Sequence, residues 1–211
     1  NGDLVATAYS SSVSVLAVPP PPIPGSAGTP VGTALGTSST TWSWVLAAGA
    51  TNYYLYRPSD ISYLGSSSSG PFVLTALSPN TAYGLRVAGV NVGGTGALSP
   101  SATVYTLAAV PTGASASSIT ATSQIVSWSL AGNPGTTTAQ LERSPSGVVY
   151  STVTYAAGPS NADADLLGCT TYYYRVRNYN GDALPTAYAS FQGVTANTTP
   201  SPPSGLTASA N

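Results

Sequence analysis

The chain has 211 residues, with five basic residues (all arginine), six acids, no histidine and a net charge of −1. So little positive charge excludes the counterion-displacing footprint that nucleic acid needs and a polybasic anchor for anionic membranes. Without His or Lys, the commonest general base, the Schiff-base amine and the neutral metal ligand are all missing, which argues against an enzyme and calls for no cofactor.

Charged residues make up only 5% of the chain. It still does not read as disordered, because Val, Leu, Tyr and Trp recur at strand spacing. No run approaches the ~18 apolar residues of a membrane span, so no membrane insertion is expected. Taken in order, Asn1-Gly2-Asp3-Leu4-Val5-Ala6-Thr7-Ala8-Tyr9 is echoed by Asn180-Gly181-Asp182-Ala183-Leu184-Pro185-Thr186-Ala187-Tyr188. Asn-Gly marks a hairpin turn. Residues 1–22 therefore read as the last strand of a preceding module followed by a stiff linker, Pro19 to Pro22. A second reading stays open, in which residues 1–18 are donated to a neighbouring subunit.

Residues 23–108 form the first expected module. Its strands are placed at 31–35, 41–46, 53–57, 72–77, 83–91 and 102–107, with a polar turn over 66–70. Residues 109–197 form the second, in which Trp128 answers Trp44, and Leu141 and Arg143 answer Leu55 and Arg57. Strands are expected at 148–155 and 186–196. Residues 198–211 read as a linker and the first strand of a following module. Short strands between turn signals are the all-β signature, and repetition of such units is that of an array.

The two modules share one stretch. Leu77-Ser78-Pro79-Asn80-Thr81-Ala82-Tyr83 is matched by Leu166-Leu167-Gly168-Cys169-Thr170-Thr171-Tyr172, and Arg86, Val87 and Asn91 fall on Arg175, Val176 and Asn180. A Leu-x-x-x-Thr-x-Tyr run entering an alternating strand is a tyrosine-corner pattern, in which the phenol clamps the turn between two sheets. This resembles the fibronectin type III family of the bacterial or archaeal extracellular type. The resemblance implies tandem immunoglobulin-like β-sandwiches, with Tyr83 and Tyr172 as the corners and Trp42, Trp44, Trp128, Leu77 and Leu166 in the cores.

Alternation then turns Tyr54, Tyr56 and Arg86 outward in the first module and Tyr173 and Arg175 outward in the second. They serve either in cross-strand pairing, including a Glu142–Arg175 pair, or as a contact surface. Asp163 and Asp165, two apart on an extended strand, would share a solvated strand edge rather than hold a metal. Cys169 has no partner for an internal disulfide and is expected to be partly buried. Asn197-Thr198-Thr199 is an acceptor sequon, which places a candidate glycan at Asn197 in an exposed linker.

These readings converge on a non-catalytic repeat segment of an extracellular or cell-surface protein, in a form such as a filament or sheath subunit. Its partners would be neighbouring modules, copies of itself or glycans. The alternative is a spacer, adhesive or carbohydrate-binding module of a secreted enzyme or adhesin.

Overall fold

The computed structural model describes residues 18–189, 195–197 and 204–205, and these contain strands and turns with no helix. The expected strand within residues 1–18 and the one beginning after 198 lie almost wholly outside the described residues.

The first sandwich opens with β1 (Val31–Ala34), β2 (Thr40–Ser43) and β5 (Phe72–Leu74), hydrogen-bonded in the order β1-β2-β5. Facing them are β4 (Tyr63–Ser67), β3 (Asn52–Tyr56), β6 (Ala82–Asn91), β7 (Gly94–Thr95) and β8 (Ala102–Tyr105), the last also pairing with β6. The second sandwich repeats the plan. One sheet has β9 (Thr112–Ser117), β10 (Gln124–Ser129) and β13 (Ser160–Asp163). The other orders β12 (Ser151–Ala157), β11 (Thr138–Ser144), β14 (Thr171–Asn178) and β15 (Thr195–Asn197).

Period-two alternation decides which side chains the sheets enclose. In β3 and β6, Tyr53, Leu55, Leu85 and Val87 are buried, while Tyr54, Tyr56 and Arg86 stay half-exposed. In β14, Tyr172, Tyr174 and Val176 are buried and alternate with Tyr173, Arg175 and Arg177. The two cores share no residue: Trp42 and Trp44 anchor one, Trp128 and Leu166 the other. Trp42 lies directly beneath β1. A Cβ on Gly32 would stand 2.8 Å from its ring and 2.7 Å from Val104. Only a glycine lets the strand pass that close.

Several expectations change. Residues 63–67 form a strand, because Tyr63 and Leu64 lead the serine run into register with β3 (Tyr54 opposite Ser66, Tyr56 opposite Tyr63). The strand placed at 148–155 starts later, at Ser151. Gly147 has a positive φ of 75°, and the Ser144 hydroxyl accepts the Ser146 and Gly147 N–H groups. That turn leaves Val148 and Val149 exposed. Leu77 is only half-buried, unlike Leu166, because it lines an open apolar cleft with Leu64, Leu74 and Tyr83. Arg57, at the rim of that cleft, pairs at 3.3 Å with Asp60, where both side chains are about half-exposed.

Candidate functional site: outer faces and module junction

Both corners are closed as the motif requires. The Tyr83 hydroxyl accepts the Ser78 N–H at 2.9 Å, and the Tyr172 hydroxyl accepts the Leu167 N–H at 2.9 Å. Each bond spans five residues and ties the turn to the strand it feeds. Asn80 and Cys169 take the left-handed conformation at the same step of the turn, with φ of 45° and 56°. Asparagine tolerates that region well. Cys169 is exposed rather than partly buried, since the turn projects it from the end of the sandwich.

On the outer face of the first sandwich, Tyr63 lies edge-on to Tyr54 (5.7 Å between centroids) and Tyr56 (6.1 Å). Arg86 is held by its own sheet, its Nε donating to Ser99 O at 2.8 Å. The outer face of the second sandwich is a continuous stack. The Arg175 guanidinium lies between Tyr150 at 4.2 Å and Tyr188 at 4.1 Å. Arg177 follows, over Tyr188 at 4.6 Å and Tyr179 at 5.3 Å, and Tyr155 closes the row 5.9 Å from Tyr179. The Glu142–Arg175 pair anticipated from the sequence is present at 2.6 Å, with Glu142 also accepting Gln140 Nε2 at 3.0 Å. Tyr173 lies on the same face against Gly147. Cation–π contacts contribute roughly 0.5–1 kcal/mol each at exposed sites, so this stack stiffens the sheet across its strands. Burial, followed by its bond to Glu142, pushes the Tyr188 phenol above its ordinary pKa.

The two aspartates part company. Asp163 ends β13 and is buried, so it is not a solvated edge residue. It accepts Arg143 Nη1 at 2.8 Å and the Tyr174 hydroxyl at 2.6 Å. Tyr174 in turn meets the buried Gln124 amide. Asp165 leaves the strand with a φ of 57° and does not share that face. Burial first, and then the bond to Asp163, raises the Tyr174 phenol well above an ordinary tyrosine. The folded state therefore keeps a proton that the unfolded chain releases near pH ~10. This contribution to stability is fully present below about pH 10 and is lost as pH rises beyond it. The expected result is a downward slope in the second sandwich's melting temperature above about pH 10, shallower in Tyr174→Phe. An equal slope in the variant would show that other groups cause it.

The sandwiches meet through side chains that the sequence does not single out for this role. Asn80 Nδ2 donates to Thr137 Oγ1 at 2.8 Å, and its Oδ1 accepts the Gly181 N–H at 2.8 Å. Asn180 Nδ2 donates to Thr106 O at 3.2 Å, and Asp182 Oδ2 accepts the Tyr105 N–H at 2.9 Å. Asn133 holds the segment that links the modules from both sides, accepting the Ala109 N–H and donating to Ala109 O, each at 2.8 Å. A Cβ on Gly181 would run into the Tyr105 ring, so the loop tip fits only as glycine. At the other end of the first module, Asn91 plays a related part. Its Nδ2 donates to Pro22 O at 2.8 Å and Gly49 O at 3.0 Å. The Asn-Gly repeat is the available signal, but it reads first as a turn. Gly181→Val should widen the distribution of inter-module angles in small-angle scattering and leave both thermal transitions within a few degrees. Unchanged scattering would mean that these contacts do not fix the angle. Asn197 ends β15 opposite Thr171, so it lies on a paired strand and not in a linker.

No protein-family model matches the chain, and no curated protein sequence matches it. Among solved structures it is similar to a two-domain fibronectin type III segment of chicken tenascin, at 16% identity over 77% of this chain and 97% of that one, with a TM-score of 0.49. The FN1–FN3 domains of chicken CNTN1 align over 84% of this chain and 69% of theirs, at 17% identity and a TM-score of 0.36. The protein called FN3tt, in a mutant form, aligns at 26% identity over 37% of this chain and 94% of its own, with a TM-score of 0.33. The fold is carried by this chain's own geometry: paired sheets of like strand order, a core anchored on tryptophan and a closed tyrosine corner, each occurring twice in one sequence. The chain folds as fibronectin type III-like β-sandwiches in tandem.

Proposed function

We propose that the chain is a non-catalytic structural repeat segment of an extracellular or cell-surface protein, with modules 23–108 and 109–197 stacked as a semi-rigid rod that builds a filament or sheath. The observation that carries this reading is the junction: Asn80, Asn180 and Asp182 make it directional and hydrogen-bonded, whereas a flexible spacer needs no such contacts. A repeat held by nearest-neighbour contacts transmits its shape along the array. Negative-stain electron microscopy of the purified protein tests this reading. Rods or ordered filaments are expected, and a population of particles with freely varying bend would overturn it.

A second reading, an adhesive or glycan-binding module, is favoured by the outward-facing Tyr54, Tyr56 and Tyr63 rings. Tyrosine fluorescence titrated with polysaccharides separates the two readings, since a response that disappears in Tyr54→Ala supports the glycan.

A further inference from the structure

The end of the first module that receives the incoming linker is apolar, and among the described residues nothing covers it. Val92, at the tip of the β6–β7 hairpin, is 85% exposed, and Val18, Ile23 and Leu46 are each more than half exposed. Hydrogen bonds bring the hairpin, the end of the linker and the loop that carries Leu46 together: Asn91 joins the hairpin to Pro22, next to Ile23, and to Gly49. The corresponding end of the second module is covered by the first, and its contacts show what covers such a face. There the corner residue Asn80 reaches Thr137 and the Gly181 N–H of the hairpin tip.

Strand register carries those contacts across. Leu55 opposes Val87 as Leu141 opposes Val176. Thr51 therefore stands where Thr137 does, Asn91 where Asn180 does, and Val92 where Gly181 does. On the donating side, Cys169 occupies the place of Asn80 and is exposed in the same left-handed turn.

We propose that a second copy of this chain docks on that face, presenting the corner end of its second module to the entry end of the first, so that Cys169 of one copy lies over Val92 of the next. The proposal rests on the structural-repeat reading above. The chain itself supplies the occupant, because the same two kinds of surface already meet inside it. The chemistry differs in kind, however. The internal joint pairs an asparagine with a glycine through hydrogen bonds. The joint between copies places a thiol on an isopropyl group beside Leu46 and Ile23, so it is apolar. A contact between unlike ends leaves a free end of each kind and propagates as a line, unless the rotation between copies closes a ring.

The decisive experiment is Val92→Cys in the otherwise native chain, which retains Cys169. Under mild oxidation the two thiols of neighbouring copies should lose their protons and two electrons to the added oxidant and join as a disulfide. A ladder of covalent oligomers should form at least about tenfold faster than with Val73→Cys, an exposed position in β5 opposite Thr41, on the flank of the first sandwich and away from both docking ends. Removing Cys169 as well (Cys169→Ser) should stop the ladder at dimers. Val92→Asp should reduce self-association in sedimentation velocity at least about fivefold with an unchanged melting temperature. Equal rates for Val92→Cys and Val73→Cys would overturn the joint. Filaments seen by microscopy together with equal rates would leave the structural role standing and reject only this contact.

Discussion

Asp163→Ala should lower the stability of the second sandwich by about 3–5 kcal/mol, the range for breaking a buried charge pair by removing one partner. The carboxylate is 3% exposed and accepts hydrogen bonds from both Arg143 and Tyr174. Its loss leaves a guanidinium facing the core, a buried phenol without its acceptor, and the Gln124 amide beside that phenol. The arginine side chain is about one-third exposed. It can swing towards water, which places the expected effect near the lower end of the range. Asp163→Leu combined with Tyr174→Phe also removes the stranded phenol and should recover part of the loss, but only part, because the Arg143 guanidinium and the buried Gln124 amide still lose their partners. Chemical denaturation followed by tyrosine fluorescence checks both. A single variant within about 1 kcal/mol of the parent would refute the role assigned to the carboxylate.

Trp42→Ala is the counterpart in the first sandwich, with an expected loss of about 3–5 kcal/mol. The indole is fully buried, and its Nε1 donates to Thr40 Oγ1 at 3.0 Å, so the variant loses both packing and a satisfied donor. Strand β1 cannot settle into the gap without dragging Gly32 and Val104 from their places. Because the two cores have no residue in common, calorimetry should show one transition moving down by many degrees and the other nearly unmoved. A single transition that shifts as a whole would mean that the junction couples the modules more strongly than its few hydrogen bonds suggest.

Much of this architecture is legible in the sequence, for local reasons. Each corner bond spans only five residues, so Leu77 to Tyr83 and Leu166 to Tyr172 betray their turns directly. The outward row Tyr173, Arg175 follows from alternation, and from it the Glu142 pair. What stays hidden depends on residues far apart. Asp163 reads as an edge residue, because nothing near it in sequence reveals that Arg143, Gln124 and Tyr174 converge there from three other strands. Strand β4 is masked by four consecutive serines that resemble a turn, and only pairing with β3 makes the first two of them extended. The module junction joins Asn80 to Gly181 across 101 positions, and no periodicity encodes such a contact.

The way this chain uses its few charges has a consequence for where it could work. Among the described residues there are three ion pairs, and in two of them the carboxylate side chain is 10% exposed or less. Mobile ions screen surface pairs strongly and shielded ones weakly, and the tyrosine rings stacked on Arg175 and Arg177 shield those cations as well. Melting temperatures in fresh water and in brine-strength sodium chloride should agree within about 3 °C, equivalent to less than about 1 kcal/mol in a domain of this size. A steep fall with salinity would contradict this, whereas agreement would mean that ionic strength does not set the stability of this chain.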